Sequence, residues 1–405
     1  MKRPRLAFLY LTDLRGRSAD VIQSLEMCDA LEEFFRVRFY HPAITRKRVT
    51  RELDYWDVDA TWELRRLATF GPNRIAWLDY PSRVAFLSQA LLDLRVRPVD
   101  LIFTRDPSLL YVLGALPAVM RPAAPIIYEA HKLYHRVSSR VGSPAGEARA
   151  ATLARHVVAI SPGVRDDLLA LGIDPGRIDV LPLGVKLERF EGRKDKAVLK
   201  ARLGLDPARP VVVYSGSWDQ WKGVETLVDA FAHLAKSAPL ANSKSGAILL
   251  LIGLPDSIAA AFKAKLSAMG IAEDRVILHG HLPRRELARW LCAADVGVVP
   301  NNDTLLSAHY TSPLKVFEYL AAGLAVVASD VPALRAVLGD REAVFVRAGD
   351  PLDMAEKLDR LLQSHVDRQN RQSAARQRAI NFDYAVRAER ILAIYYNLSG
   401  QAKVR

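Results

Sequence analysis

The chain has 405 residues, half of them hydrophobic and a quarter charged, with a formal net charge of +12 and two cysteines. That length exceeds one core and suits two, and the balance is ordinary for a folded protein. No stretch reaches the ~18 consecutive apolar residues of a membrane-spanning helix, the longest apolar runs, such as Ala247–Leu254, having strand length. Cys28 and Cys292 fall in helical patterns outside any metal or redox spacing, so they read as core or half-buried thiols in a reducing, cytoplasmic setting. The positive excess is shared evenly between the two halves and forms no tail. No nucleic-acid-binding motif accompanies it, and nucleic acid is the weakest partner class.

In chain order, Leu6–Leu11 is predicted as a first buried strand, since its apolar run is short and no small-residue cleavage site follows. Ala19–Phe34 sets Val21, Leu25, Cys28 and Leu31 on one stripe of an amphipathic helix. Val37–Tyr40 continues the strands inside a basic cluster, Arg36, Arg38, Arg46, Lys47, Arg48 and Arg51, interleaved with Phe39, Tyr40 and Ile44. The cluster reads either as a solvated surface or as a contact with an anionic membrane surface or a phosphorylated acceptor. Asp57-Val58-Asp59 has the spacing of a metal-binding pair of aspartates but sits among charged residues away from a strand end, so no metal is assigned to it. Leu101–Phe103, Ile126–Tyr128, Val157–Ile160 and Ile178–Leu181 are further strands. Charge-rich Lys186–Pro210 reads as a linker with a short helix. A second series follows at Val211–Tyr214, Ile248–Ile252, Val276–Leu278, Val296–Val299, Ala325–Ala328 and Ala343–Val346. The pattern predicts an α/β fold of two doubly wound, parallel-sheet domains, 1–188 and 189–378, with a terminal helical segment, 379–405, packing back across them. Two such halves make a cleft, a preferred place for a ligand.

The richest stretch is TSPLKVFEYLAAGLAVVASD, residues 311–330. Ser312 suits an N-cap, Pro313 the first helical position and Gly323 the stop. The free amides near Leu314 and Lys315 then form an anion site, with Lys315 adding charge. Glu318 lies over one turn deeper, placed for sugar hydroxyls, or else pairs with Lys315 as an exposed helix acid. In VVVYSGSWDQWKGVETLVDAF, Lys222 precedes a helix N-terminus, where a cation is misplaced unless an anion compensates both charges. His131 follows a strand end in IIYEAH. Arg105, after another strand, either faces the cleft or pairs with Asp106. Neither a dinucleotide-binding glycine fingerprint nor a Walker A sequence is present.

Together these stretches resemble the retaining GT-B glycosyltransferases of glycosyltransferase family 4 over almost the whole chain. The resemblance implies that Lys222 contacts a donor diphosphate, that His281 and Leu282 lie where the nucleotide base is received, and that Glu318 holds the ribose hydroxyls. It sets His131 beside the transferred sugar. RSADVIQSLEMCDAL is similar to a subgroup found in surface-polysaccharide assembly, and Gly16 and Arg105 are expected on the cleft or acceptor side. Two positions depart from the family. The first glutamate of its E-x7-E motif falls at Tyr310, and an arginine usual after the glycine of the Lys222 loop is Ser217, so Lys315 is expected to supply the missing charge.

The expected function is retaining transfer of a sugar from a nucleotide-diphosphate-sugar donor to a glycan or lipid-linked acceptor, in surface polysaccharide or glycolipid synthesis. Ser217, Lys222, His281, Leu282, Ser312, Leu314, Lys315 and Glu318 form the donor site, and His131, Lys222 and Glu318 are catalytic. Fixed positive potential stabilises the leaving diphosphate without a cofactor or metal, and front-face displacement is favoured. The enzyme is expected in the cytoplasm or on the inner membrane face. Two alternatives stand beside this: a donor-binding, non-catalytic subunit, and a sugar-nucleotide 2-epimerase of the same fold.

Overall fold

The computed structural model describes residues 3–11, 14, 18–42, 46–69, 76–137, 143–192, 195–236 and 246–400. The chain divides into two compact units, Met1–Leu183 with Tyr384–Arg405, and Gly184–Asp383. The division falls five residues from the expected border at each crossing.

The first unit is built on seven strands: β1 (Arg5–Leu9), β2 (Arg36–Pro42), β3 (Glu63–Leu67), β4 (Leu101–Thr104), β5 (Ile126–Ala130), β6 (His156–Ala159) and β7 (Ile178–Val180). All pair in parallel, in the order β3-β2-β1-β4-β5-β6-β7. Parallel strands are covered on both faces by their crossover helices, which is why β4, LIFT, and β5, IIYEA, are buried throughout. β3 escaped the sequence pattern because ELRRL is a polar edge strand whose Glu63 and Arg65 pair with each other at 2.9 Å. The C-terminal helix Tyr384–Ser399 packs on helix Ala19–Glu32, with Tyr395 edge-on to Phe35 at 5.8 Å between ring centres.

The basic cluster proves to be partly structural. Phe39 and Tyr40 face the core, and Arg38 pairs with Glu63 at 3.0 Å and Asp93 at 3.6 Å. The interleaved aromatic surface is thereby withdrawn. Ile44 and the side chains of Arg46, Lys47 and Arg48 lie outside the described residues, as does Gly16.

The second unit has six parallel strands: β8 (Val211–Ser215), β9 (Ile248–Ile252), β10 (Val276–His279), β11 (Val296–Val299), β12 (Ala325–Ser329) and β13 (Ala343–Val346). Their order is β10-β9-β8-β11-β12-β13. The direction of winding reverses between β8 and β11, as it does between β1 and β4. Ligands of doubly wound sheets bind beyond the strand carboxyl ends at such switch points. A core of Val212, Tyr214, Leu227, Phe231, Leu249, Leu251, Val298 and Val327 fixes the strand ends that carry the loops.

Candidate donor half-site and histidine network

In the second unit, β8 ends at Ser215 and the loop Gly216–Gly223 leaves the sheet at the switch point. Gly216 has φ +139° and its N–H still bonds the Ile252 carbonyl at 2.9 Å. Gly223 has φ +63°, and a Cβ there would lie 1.9 Å from the Pro300 carbonyl oxygen, so only glycine allows this return to the sheet. Lys222 donates to Ser217 Oγ and pairs with Asp219 at 3.3 Å. Ser217 Oγ donates to Asp219 Oδ2 at 2.7 Å. The Ser217 bond, together with Lys222 and in spite of some burial, holds the Asp219 carboxyl below its usual range.

Helix Leu314–Ala322 enters from the other side of the switch point. Its N-cap is Pro313 and no side chain caps it. The expected capping by Ser312 is therefore corrected, the helix starting one residue later than the sequence suggested. Gly323 ends it at φ +67°. Lys315 in its first turn is 8% exposed, and among the described residues its Nζ has no hydrogen-bond partner. That Nζ lies 3.7 Å from the centre of the Tyr214 ring and 3.0 Å from where a Gly216 Cβ would be. Burial first, and Lys222 second, push its pKa well below the ordinary lysine value. A buried, unpartnered ammonium is costly unless an anion arrives. Lys222, Lys315 and the first amides of the helix together place positive charge where such an anion would bind.

Glu318 is neither exposed nor paired with Lys315, as the sequence had allowed. It is buried and forms a 2.5 Å ion pair with Arg284, the first residue of helix Arg284–Ala293. Arg284 directly follows the loop carrying His281, which is exposed, and Leu282, which is half-buried. Tyr310, at the motif's first glutamate position, is buried. Tyr319 was missed by sequence reasoning. Its hydroxyl accepts from the Ser215 N–H at 2.8 Å, tying the helix to the loop origin, and its ring rests where a Gly297 Cβ would clash at 2.4 Å. The Gly297–Tyr319 pair left no periodic signal.

In the first unit, Arg105 turns inward rather than pairing with Asp106, which instead caps the next helix by accepting from Ser108 N–H at 2.8 Å. Arg105 donates to Gln23 Oε1 at 2.5 Å and Ser24 Oγ at 2.7 Å and pairs with Glu129 at 2.9 Å. His131 Nε2 lies 2.6 Å from Glu129 Oε1. The other Glu129 oxygen meets Arg387 at 2.7 Å. Burial alone would raise the Glu129 carboxyl, but Arg387 and Arg105 outweigh it and hold the group far below the usual range. Burial and then Arg105 lower the His131 pKa against the pull of Glu129. Glu129 and Arg387 were not singled out from sequence, although Glu129 stands in the same strand-end motif as His131. Among the described residues no group of three or more His, Cys, Asp or Glu could hold a metal ion, and no helix is long and apolar enough to cross a membrane.

Two parallel doubly wound units, each with polar groups gathered beyond its strand ends, define a GT-B glycosyltransferase fold. Residues 24–189 match the family model described as Glycosyltransferase Family 4, and residues 209–364 the one described as Glycosyl transferases group 1. The D-inositol 3-phosphate glycosyltransferase of Frankia alni is 30% identical over 72% of this chain and 72% of its own length. The enzyme of that name from Xylanimonas cellulosilytica is 31% identical over 65% of this chain, and the match spans 62% of that relative. The chain therefore belongs to glycosyltransferase family 4. Among solved structures, sucrose-phosphate synthase from Thermosynechococcus elongatus superposes with a TM-score of 0.76 at 20% identity, covering 98% of this chain and 100% of that one. Anabaena HepE in complex with UDP gives 0.69 at 16% identity, covering 97% and 100%.

Proposed function

We propose that the protein transfers a sugar, with retention of configuration, from a nucleotide-diphosphate-sugar donor bound in the second unit to a hydroxyl acceptor. The observation that carries this is the buried, unpartnered Lys315 Nζ over Tyr214 and Gly216, beside Lys222 at a helix N-terminus. A diphosphate is an anion of the right chemistry for that site. Lys222, Lys315 and the amides near Leu314 stabilise the charge that develops on it as the glycosidic bond breaks. No metal is required by this account. Glu318, held by Arg284, reads the ribose hydroxyls, and the 281–283 loop receives the base. His131 positions the sugar, and the leaving phosphate oxygen takes the acceptor proton. The UDP bound to the Anabaena structure supports a nucleotide donor.

A glycan or lipid-linked acceptor at the inner membrane face remains the first reading. The names of the similar proteins favour a second: inositol 3-phosphate and sucrose phosphate are phosphorylated small molecules. A panel of nucleotide sugars in thermal-shift assays identifies the donor, since a ligand at ~100 times its Kd adds about 2.7 kcal/mol. Product formation with D-inositol 3-phosphate against a lipid-linked glycan then separates the acceptors, and the anomeric proton of the product reports retention. Donor conversion with no acceptor would favour an epimerase. Binding without turnover on either acceptor would favour a non-catalytic subunit.

A further inference from the structure

We infer that Arg387, from the C-terminal helix, is a positioning residue for His131, acting through the Glu129 carboxylate that lies between them. The inference rests on the proposed role of His131 at the transferred sugar. Arg387 and Glu129 are both more than nine-tenths buried, and both belong to the first unit.

Glu129 divides its oxygens. Oε1 faces Arg105 Nε at 2.9 Å and His131 Nε2 at 2.6 Å, and Oε2 faces Arg387 Nη1 at 2.7 Å. Arg387 is itself clamped, its Nε donating to the Pro182 carbonyl at 2.9 Å and its Nη2 to the Leu181 carbonyl at 3.1 Å. A planar fork held in three directions fixes the carboxylate it touches. An ionised carboxylate only accepts, so Glu129 draws the His131 proton to Nε2, in competition with Arg105 Nε, which lies 3.0 Å from the same nitrogen and would donate to it in the other tautomer. With the proton on Nε2, Nδ1 is the lone pair, 3.4 Å from Arg105 Nη2. The orientation of this strand-end histidine is thereby held from the far end of the chain, and the fixed Glu129 oxygen favours the Nε2–H tautomer over the one that Arg105 would favour. Helix Tyr384–Ser399 thus completes a site that sequence alone places entirely before residue 190.

The groups facing this network are Asp20 and Glu26 from helix Ala19–Glu32, Tyr10 after β1, Arg105 after β4, Glu129 on β5, and Tyr384 and Arg387 from the C-terminal helix. Removing Arg387 takes away one cation and frees Glu129 to turn. The tautomer of His131 is then no longer fixed, and with one cation gone from the network its protonation step moves to higher pH.

The test is nitrogen NMR of the full chain carrying 15N-labelled histidine, with the His131 signals assigned by their loss in His131→Gln. The wild type is expected to show only the Nε2–H tautomer at neutral pH, and Arg387→Gln a mixture with the raised protonation step. A wild-type tautomer and titration in Arg387→Gln, even with a lowered Tm, would make Arg387 a brace and overturn the inference. If Arg387→Gln does not fold, the wild type decides alone, because an Nδ1–H tautomer there contradicts the bond to Glu129. Full turnover by His131→Ala would overturn the histidine's catalytic role instead, and the two failures are distinct.

Discussion

Arg284 and Glu318, the first residue of one helix and a mid-helix residue of another, close a 2.5 Å ion pair in which both side chains are more than nine-tenths buried. Removing one partner of such a pair leaves an uncompensated buried charge, at about 3–5 kcal/mol. Glu318→Ala is therefore expected to unfold at markedly lower urea, and Arg284→Met in the same chain to recover much of the loss. A double-mutant cycle checks this. Additive effects of the two changes would mean that the pair is not coupled. Loss of turnover in Glu318→Ala is informative about ribose only in samples shown to be folded.

Lys315 gives a pH-dependent prediction. Burial and Lys222 depress its pKa in the folded chain. A lysine depressed in this way costs stability at pH values below its unfolded pKa of about 10.4, and the cost fades as the pH rises toward that value. Lys315→Met is expected to raise Tm in the absence of nucleotide, and by more at about pH 7 than at about pH 10. A gain of equal size at both would show that the change acts through packing.

Gly223 sits in the left-handed region at φ +63°, with the Pro300 carbonyl where a Cβ would go. Gly223→Ala is expected to lower stability by more than the ~1–2 kcal/mol of a left-handed alanine, because the loop must also move off Pro300. Urea unfolding measures it. A wild-type midpoint would contradict the described loop.

The fold was readable because both series of strands carry short apolar runs between helix-period segments, and runs such as ILLLI at 248–252 can only be buried strands. β3 was not, because an edge strand of Glu, Leu and Arg lacks that pattern. Lys222, Lys315 and Gly323 were legible from helix-end chemistry. Arg284 with Glu318, and Arg387 with Glu129, were not, since ion pairs 34 and 258 residues apart in sequence leave no spacing to read. The same limit leaves Arg105, in sequence, between the cleft and a pairing with Asp106. Local proximity was visible, and the tertiary partner was not.

Lys222 is expected to separate binding from stability. Its pairing with Asp219 is partly solvated, and exposed ion pairs contribute ~0–1 kcal/mol. Lys222→Ala should melt within a degree or two of wild type and lose turnover. A large drop in Tm would assign the lysine a structural role.

Calorimetric titration of UDP, GDP and ADP into the wild type, Lys222→Ala and Lys315→Ala tests the cationic donor site most directly. One nucleoside diphosphate should bind the wild type, and each variant should weaken it by about 1.5–3 kcal/mol, at least tenfold, with circular dichroism unchanged. Wild-type affinity in both folded variants would contradict the account.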